Sequence, residues 1–250
     1  MRDIAPMPDA LRDSRSIPGL MRIRVFGGAE ALADAAADEV EAWLRVMTGP
    51  RVIGLSGGST PRRAYELLAE RRIGWADVEA WLVDERHVPT DHEDSNARMI
   101  RRTLFDRVPA HLHEVPWDEA AESAAAYEMT LRDILPAGPN GRPQPGLVLL
   151  GVGEDGHTAS LFPGSPALDE LERDFVAVEV PDLGWRLTAT LPLLARARRT
   201  LIIVSGERKA DIVAEVLEGE SDLPASRVSR ASRDALWLLD AAAASKLHGF

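Results

Sequence analysis

The segment LVLLGVGEDGHTASLFPG (residues 147–164) joins a continuous apolar run to a glycine-rich polar loop. The apolar run is typical of a strand that is buried on both faces of a sheet. The loop begins with G-x-G-x-x-G, a pattern that also opens dinucleotide-binding helices. A dinucleotide turn should open a full helix, but here Pro163 would end the helix soon after His157. In addition, Glu154 and Asp155 would place negative charge beside a pyrophosphate. The segment therefore disfavours NAD or FAD and indicates a loop that makes room for a small ligand.

Short apolar strands alternate with helical segments on both sides of this loop. The alternation predicts an α/β fold with a doubly wound, mainly parallel sheet and helices on both faces. We predict strands at residues 22–26, 52–55, 79–83, 147–150, 174–180, 186–191, 201–204 and 235–239, and helices at 29–47, 61–70, 95–105, 118–134 and 207–217, with a short Ala-rich helix after residue 239. We expect one domain over residues 21–250 and a flexible tail over residues 1–20.

Four polar loops follow predicted strands. Ligands of such folds bind outside the carboxyl ends of the strands, where these loops lie. We therefore expect all four loops to face one crevice. They read SGGSTP (56–61), DERHVPTDHEDSN (84–96), GVGEDGHTASLFPG (151–164) and SGERKA (205–210).

Composition excludes several classes of function. The net charge of −11 opposes general binding to nucleic acid and to anionic membranes. The chain has no cysteine, which excludes thiolate chemistry and fits a cytoplasmic location. Because the net charge is negative, an anionic ligand would need a local positive site. Lysine occurs only at Lys209 and Lys246, so almost all positive charge is arginine. We expect a monomer or a weak dimer.

The loop SGGSTP has the features of an anion site. Gly57 and Gly58 let the backbone turn tightly and approach a ligand. Ser59 and Thr60 place hydroxyl groups beside the free N–H groups of a helix start, where phosphate binds well. The alternative is a tight turn with an ordinary helix cap.

The loop DERHVPTDHEDSN begins at the end of an apolar strand, where active sites gather. Arg86 offers a planar guanidinium to an anionic substrate. His87 and His92 are possible metal ligands, but the sequence has no HExxH and no cysteine, so we predict no metal. The alternative is a solvated charged loop.

His157 has the chemistry of a general base near neutral pH. Asp155, two residues earlier, is placed to orient the ring or to tune its basicity. A structural His–Asp pair is the alternative.

Lys209 falls in the first turn of a predicted helix, an unfavourable place for a cation unless an anion binds there too. Arg186 is a second candidate cation.

Taken together, these motifs resemble the 6-phosphogluconolactonases over most of the chain, from residue 22 to about residue 239. The string DGHTASLFPG is the most specific of them. The stretch PDLGW before Arg186 departs from the Lys-Pro-Pro-like run of the family. The resemblance rests on GLSGGSTP (54–61), VDERHVPTDHEDSN (83–96), GVGEDGHTASLFPG (151–164), WRLTATLP (185–192) and VSGERKA (204–210).

The resemblance implies a NagB/RpiA-like Rossmannoid fold and hydrolysis of 6-phospho-D-glucono-1,5-lactone, a phosphorylated sugar lactone, without metal or cofactor. It implies that His157 is the general base, supported by Asp155 and Arg86. The same resemblance assigns phosphate binding to the turn of Gly57, Gly58, Ser59 and Thr60, with Arg186 and Lys209. Further candidate substrate contacts are Asp84, Asn96 and Gly153.

Two other functions stay open at this point. Glucosamine-6-phosphate deaminases share the fold and the DGH loop, but they usually carry DEY in place of DER and a glutamate in an N-E-P stretch where this chain has residues 161–163. A non-catalytic sugar-phosphate sensor should carry a DNA-binding module, for which we expect the N-terminal tail to be too short.

Overall fold

The computed structural model describes residues 21–138 and 141–249, which form ten strands and seven α-helices. The strands are β1 (Met21–Phe26), β2 (Arg51–Leu55), β3 (Val78–Leu82), β4 (Asp84–Arg86), β5 (His111–His113), β6 (Leu147–Leu150), β7 (Phe175–Val180), β8 (Gly184–Ala189), β9 (Arg199–Val204) and β10 (Ala235–Asp240). The helices are α1 (Ala29–Val46), α2 (Ser59–Leu68), α3 (Asn96–Ile100), α4 (Ala120–Ile134), α5 (Leu191–Ala195), α6 (Ala210–Glu218) and α7 (Pro224–Ala231).

Seven strands form a central sheet in the order β1-β10-β9-β6-β2-β3-β5, and every neighbouring pair is parallel. Strand β6 lies between β2 and β9, so the chain winds outward from this point in both directions. Such a switch point leaves a crevice at the carboxyl ends of the strands. The predicted fold class, a doubly wound and mainly parallel α/β fold, is confirmed.

The remaining strands form a small antiparallel sheet in the order β4-β8-β7, with α4 packed against it. The residues DER, which the sequence analysis treated as the start of a loop, are its edge strand β4. Val83 joins the two sheets, because its N–H donates to the Leu55 carbonyl at 2.9 Å and its carbonyl accepts from the Ala189 N–H at 2.8 Å. The small sheet is therefore held directly beside the carboxyl end of β2.

Helix α1 shows why the sequence folds into layers. Leu32, Ala36, Val40 and Leu44 recur every four residues and are at most 1% exposed. This spacing places them on one face of a helix, which packs toward β1 and β10. The central sheet supplies the other half of the core, and every residue of β6 and β10 is buried.

Five details of the secondary structure differ from the prediction. The strands β4 and β5 and the helices α5 and α7 were not predicted. The expected Ala-rich helix after residue 239 is a series of turns, since so few residues form too few i→i+4 bonds to propagate a helix. The predicted flexible tail lies outside the described residues. No helix among the residues that the structure describes is long and apolar enough to cross a bilayer.

Candidate active site

A cavity of about 240 Å³ opens at the carboxyl ends of β2, β6 and β9. All four loops that the sequence predicted to share a crevice contribute to its wall. Asp155 and Arg186 are not among the lining residues, although Asp155 contacts the lining residue His157. The other ten predicted site residues line the cavity: Gly57, Gly58, Ser59, Thr60, Asp84, Arg86, Asn96, Gly153, His157 and Lys209.

The glycine turn (residues 56–61) connects β2 to α2 and is anchored at its first residue. The Ser56 hydroxyl donates to the Leu149 carbonyl at 2.8 Å, and the Tyr65 hydroxyl donates to the Ser56 carbonyl at 2.9 Å. Both anchors are buried, so the turn begins from a rigid base. Helix α2 then starts at Ser59 without a side-chain cap, which leaves its first N–H groups for a ligand.

The two glycines of this turn are required by the backbone and by a neighbour. Gly58 has φ of 110°, a conformation that side chains rarely tolerate. A Cβ on Gly57 would lie 1.8 Å from Oδ1 of Asn96. The Asn96 amide in turn donates to the Asp84 carbonyl at 2.9 Å, so it cannot move away freely. The close approach therefore explains both the glycine and the asparagine.

The histidine loop (residues 151–161) holds an imidazole against a carboxylate. Nδ1 of His157 lies 2.6 Å from Oδ1 of Asp155, which also accepts the His157 backbone N–H at 3.1 Å. A carboxylate at Nδ1 assigns the proton of a neutral ring to that nitrogen and leaves a lone pair on Nε2. The Phe162 ring lies 4.4 Å from the imidazole between centroids. The ring is thus held on two sides and is 32% exposed.

Gly153 has to be a glycine because the His–Asp pair packs directly on its backbone. A Cβ there would lie 2.1 Å from Nδ1 of His157 and 2.5 Å from Oδ1 of Asp155. The Gly153 N–H also donates to the His157 carbonyl at 2.8 Å. Partial burial alone would raise the pKa of Asp155, but the hydrogen bonds from His157 outweigh it and lower that pKa.

Lys209 reaches the cavity from the loop between β9 and α6. Asp240, at the end of β10, accepts the Ser205 hydroxyl and the Gly206 N–H, the latter at 3.0 Å. These bonds hold the turn that precedes Lys209. Partial burial lowers the pKa of the Lys209 ammonium, although the charges of Glu154 and Asp155 act in the opposite direction. An anion that binds in the cavity would relieve that cost.

The three residues of β4 have three different environments. Asp84 lines the cavity, is 7% exposed and accepts the Ser160 hydroxyl at 2.7 Å. Burial raises the pKa of its carboxyl, and the bond from Ser160 opposes part of that effect. Glu85 points to α3 instead and accepts the N–H groups of Asn96 and Ala97 at 2.7 and 2.8 Å. Glu85 therefore caps a helix, which leaves Asp84 and Arg86 for the cavity.

Arg86 and Arg186 are register partners on β4 and β8. Nη1 of Arg86 donates to the Asp94 carbonyl at 2.8 Å. Nη1 of Arg186 donates to the carbonyls of Leu183 and Trp185. Burial first, and the charge of Arg86 second, lower the pKa of Arg186. The pair therefore forms a positive edge beside the cavity, with Arg86 alone on its wall.

Sequence reasoning missed Ser160, Asp240 and the capping role of Glu85. Ser160 lies within the DGHTASLFPG string, but its partner Asp84 is 76 residues away in the sequence. The only local indication of this bond was the presence of a serine in the loop. His87, a rejected metal candidate, stacks on Trp117 at 4.5 Å. Within residues 21–138 and 141–249, no group of three His, Asp or Glu side chains is placed to hold a metal ion.

Comparison with known proteins places this chain in a family. The family described as glucosamine-6-phosphate isomerases/6-phosphogluconolactonase matches residues 27–237. A 6-phosphogluconolactonase of Nostoc sp. is 40% identical over 206 residues, which cover 80% of this chain and 85% of the relative. A 6-phosphogluconolactonase of Homo sapiens is 36% identical over 252 residues, with 92% and 94% covered.

A solved structure agrees with these relatives. The 6-phosphogluconolactonase from Trypanosoma brucei superposes with a TM-score of 0.82 at 27% identity, and the match covers 90% of this chain and 98% of that one. The family predicted from the sequence motifs is thereby confirmed. The chain belongs to the family of glucosamine-6-phosphate isomerases and 6-phosphogluconolactonases.

Proposed function

We propose that this protein hydrolyses 6-phospho-D-glucono-1,5-lactone to 6-phospho-D-gluconate, the lactonase step of the oxidative pentose phosphate pathway. The single observation that carries the proposal is the shared cavity. The imidazole of a His–Asp pair, a glycine turn at a helix N-terminus and a lysine all line it. These are the groups that hydrolysis of a phosphorylated ester requires, and the names of the relatives favour the same reaction.

The phosphate docks on the glycine turn, where the N–H groups of α2 and the positive end of its dipole converge. Lys209 supplies a full positive charge on the same wall. Arg186 contributes at longer range, because it borders Arg86 rather than the cavity itself. Anchoring the phosphate brings the lactone carbonyl to the imidazole, so the attack becomes effectively intramolecular.

His157 then acts as a general base through Nε2. It takes a proton from a water molecule, and the water oxygen forms a bond to the lactone carbonyl carbon. Asp155 holds the ring by its Nδ1–H and stabilises the cation that results. When the tetrahedral intermediate collapses, the bond to the ring oxygen breaks and the histidinium returns the proton to that oxygen. Arg86 and backbone N–H groups of the lining are the candidate donors to the oxyanion.

A coupled assay with freshly prepared lactone tests this proposal. Product 6-phosphogluconate is oxidised by its dehydrogenase, and the signal is corrected for spontaneous hydrolysis. We expect turnover well above the spontaneous rate in the wild type. His87→Asn, a histidine outside the cavity lining, is the matched control and should keep that rate. A wild type that does not exceed spontaneous hydrolysis would overturn the proposal.

The same preparation should be offered glucosamine 6-phosphate, with ammonia release as the measurement. Residues 161–163 read LFP, where the deaminases usually carry an acidic residue for ring opening. We therefore expect no ammonia. The cytoplasmic location, the monomeric or weakly dimeric state and the single domain stay predictions that rest on the sequence.

A further inference from the structure

The turn that follows His157 has an unusual backbone. The Leu161 N–H donates to the Thr158 carbonyl at 3.0 Å, which closes a four-residue turn. Its first central residue, Ala159, has φ of 51°. This position normally belongs to glycine, asparagine or aspartate, because a Cβ crowds the backbone there. Ala159 lines the same cavity as His157.

Hydrogen bonds on both sides of Ala159 hold this conformation. The Thr158 hydroxyl donates to the Gly151 carbonyl at 2.8 Å. The Ser160 hydroxyl donates to Oδ2 of Asp84 at 2.7 Å, and the Ser160 N–H donates to the Thr188 hydroxyl at 3.2 Å. Thr158 and Ser160 are each 2% exposed, so water does not compete for these bonds.

The bonds of Ser160 cross from the histidine loop to the small antiparallel sheet. Asp84 and Thr188 are register partners on β4 and β8, so they form one rigid platform. A strained backbone persists only where its surroundings determine it in excess. Without the platform, Ala159 would relax toward negative φ. The backbone would then shift at a point only two residues from His157.

We propose that Ser160 is a positioning residue: its bonds to Asp84 and Thr188 hold Ala159 in the left-handed conformation and thereby place His157 over the bound lactone. The inference rests on the proposed function, because placement matters only if the imidazole acts on a substrate. A serine that merely fills the core would affect stability and leave kcat unchanged.

The test combines Ser160→Ala with Ala159→Gly. Ser160→Ala should lower kcat by about 10-fold or more while KM changes by less than about 2-fold, since the phosphate site stays intact. Glycine adopts positive φ without strain, so adding Ala159→Gly to Ser160→Ala should restore much of kcat. Ala159→Gly alone should lower kcat less than Ser160→Ala does, because the bonds of Ser160 remain.

Two further variants keep the result interpretable. Ser232→Ala removes a buried serine that bonds to Thr200 and Val228, far from the cavity lining, and should cost stability without lowering kcat. Thr158→Val removes the other hydroxyl bond at nearly constant volume, and Ala159→Gly should rescue it in the same way. If Ser160→Ala does not fold, Thr188→Val replaces it, because this variant removes the acceptor of the Ser160 N–H at nearly constant volume.

A kcat of Ser160→Ala equal to that of the wild type would overturn the inference, and so would a double variant no faster than Ser160→Ala. The imidazole 15N signals of His157 distinguish a failure of this inference from a failure of the proposed function. If the wild type does not hydrolyse the lactone, Ser160→Ala should still shift these signals and Ala159→Gly should move them back. Signals of Ser160→Ala that coincide with those of the wild type would then overturn the inference.

Discussion

The glycine turn and the histidine loop border the same cavity, but they are built in different ways. The glycine turn presents backbone N–H groups at the start of a ten-residue helix and needs little from its own side chains. The histidine loop presents one imidazole, which depends on Asp155, Gly153 and the turn at Ala159. In the proposed function, binding of the phosphate is therefore shared among several groups, whereas the proton transfer depends on one ring. Changes in the histidine loop should reduce kcat, and changes around the phosphate should raise KM.

The largest expected effect is the loss of the imidazole. His157→Ala should lower kcat by about 10² or more with little change in KM, because the base is removed and the phosphate site remains. Steady-state kinetics with the lactone, measured beside His87→Ala, give the comparison. Turnover of His157→Ala close to that of the wild type would show that another group is the base.

Removal of the orienting carboxylate should have the next largest effect. Asp155→Asn keeps the volume but loses the charge that fixes Nδ1–H and stabilises the imidazolium. We expect kcat to fall by about 10-fold or more, less than in His157→Ala because Asp155 is half exposed and water can replace part of its role. If KM rose instead and kcat stayed the same, Asp155 would belong to the binding groups.

A smaller effect should follow from removal of charge beside the phosphate. Lys209→Ala should raise KM by about 10-fold and leave kcat nearly unchanged, since the backbone N–H groups of α2 still bind the phosphate. Inhibition by inorganic phosphate should weaken in parallel. Lys246→Ala is the matched control, because Lys246 pairs with Asp211 outside the cavity lining. An unchanged KM would remove Lys209 from the phosphate site.

The smallest effect concerns stability and pH. The pKa of Asp155 is lower in the folded protein than its usual value, so the carboxylate form stabilises the fold. This contribution is present above the unfolded pKa of about 3.9 and is lost as pH falls through the folded pKa. It should amount to a few tenths of a kcal/mol, about the size for a half-exposed group.

Urea unfolding of the wild type and of Asp155→Asn measures this term. The difference in the free energy of unfolding between the two should be larger at pH 7 than at about pH 3. A difference that grows as the solution becomes more acidic would contradict the assigned direction of the pKa shift.

Most of the fold could be predicted because its signals are local. The apolar runs at residues 52–55, 147–150 and 201–204 lie within β2, β6 and β9. Such runs and the helical spacing in α1 follow from burial, which each segment records in its own pattern. The three-residue strands β4 and β5 escaped detection, since a short polar strand carries no periodicity. The helix predicted in the Ala-rich segment after β10 was wrong, because so short a segment does not form a helix even when its residues favour one.

The groups that line the candidate site were more predictable than the groups that support them. His157, Asp155 and the glycine turn carry recognisable chemistry at short spacing. Some of the supporting bonds join distant parts of the chain, so no local pattern predicts them. They are the bond from Ser160 to Asp84 and those from Ser205 and Gly206 to Asp240. Arg186 was predicted to bind the phosphate; in the structure it is the register partner of Arg86 and is not among the residues that line the cavity.

The sequence by itself determined most of the order of strands and helices, the family, and most of the groups that line the cavity, because burial and loop chemistry are set by neighbouring residues. Tertiary structure alone decided that DER forms a strand of a second sheet, and that Glu85 caps a helix while Asp84 faces the cavity. The physical reason is that these outcomes depend on the register and packing of distant segments. Such contacts form only when distant segments pack together at the switch point of the sheet.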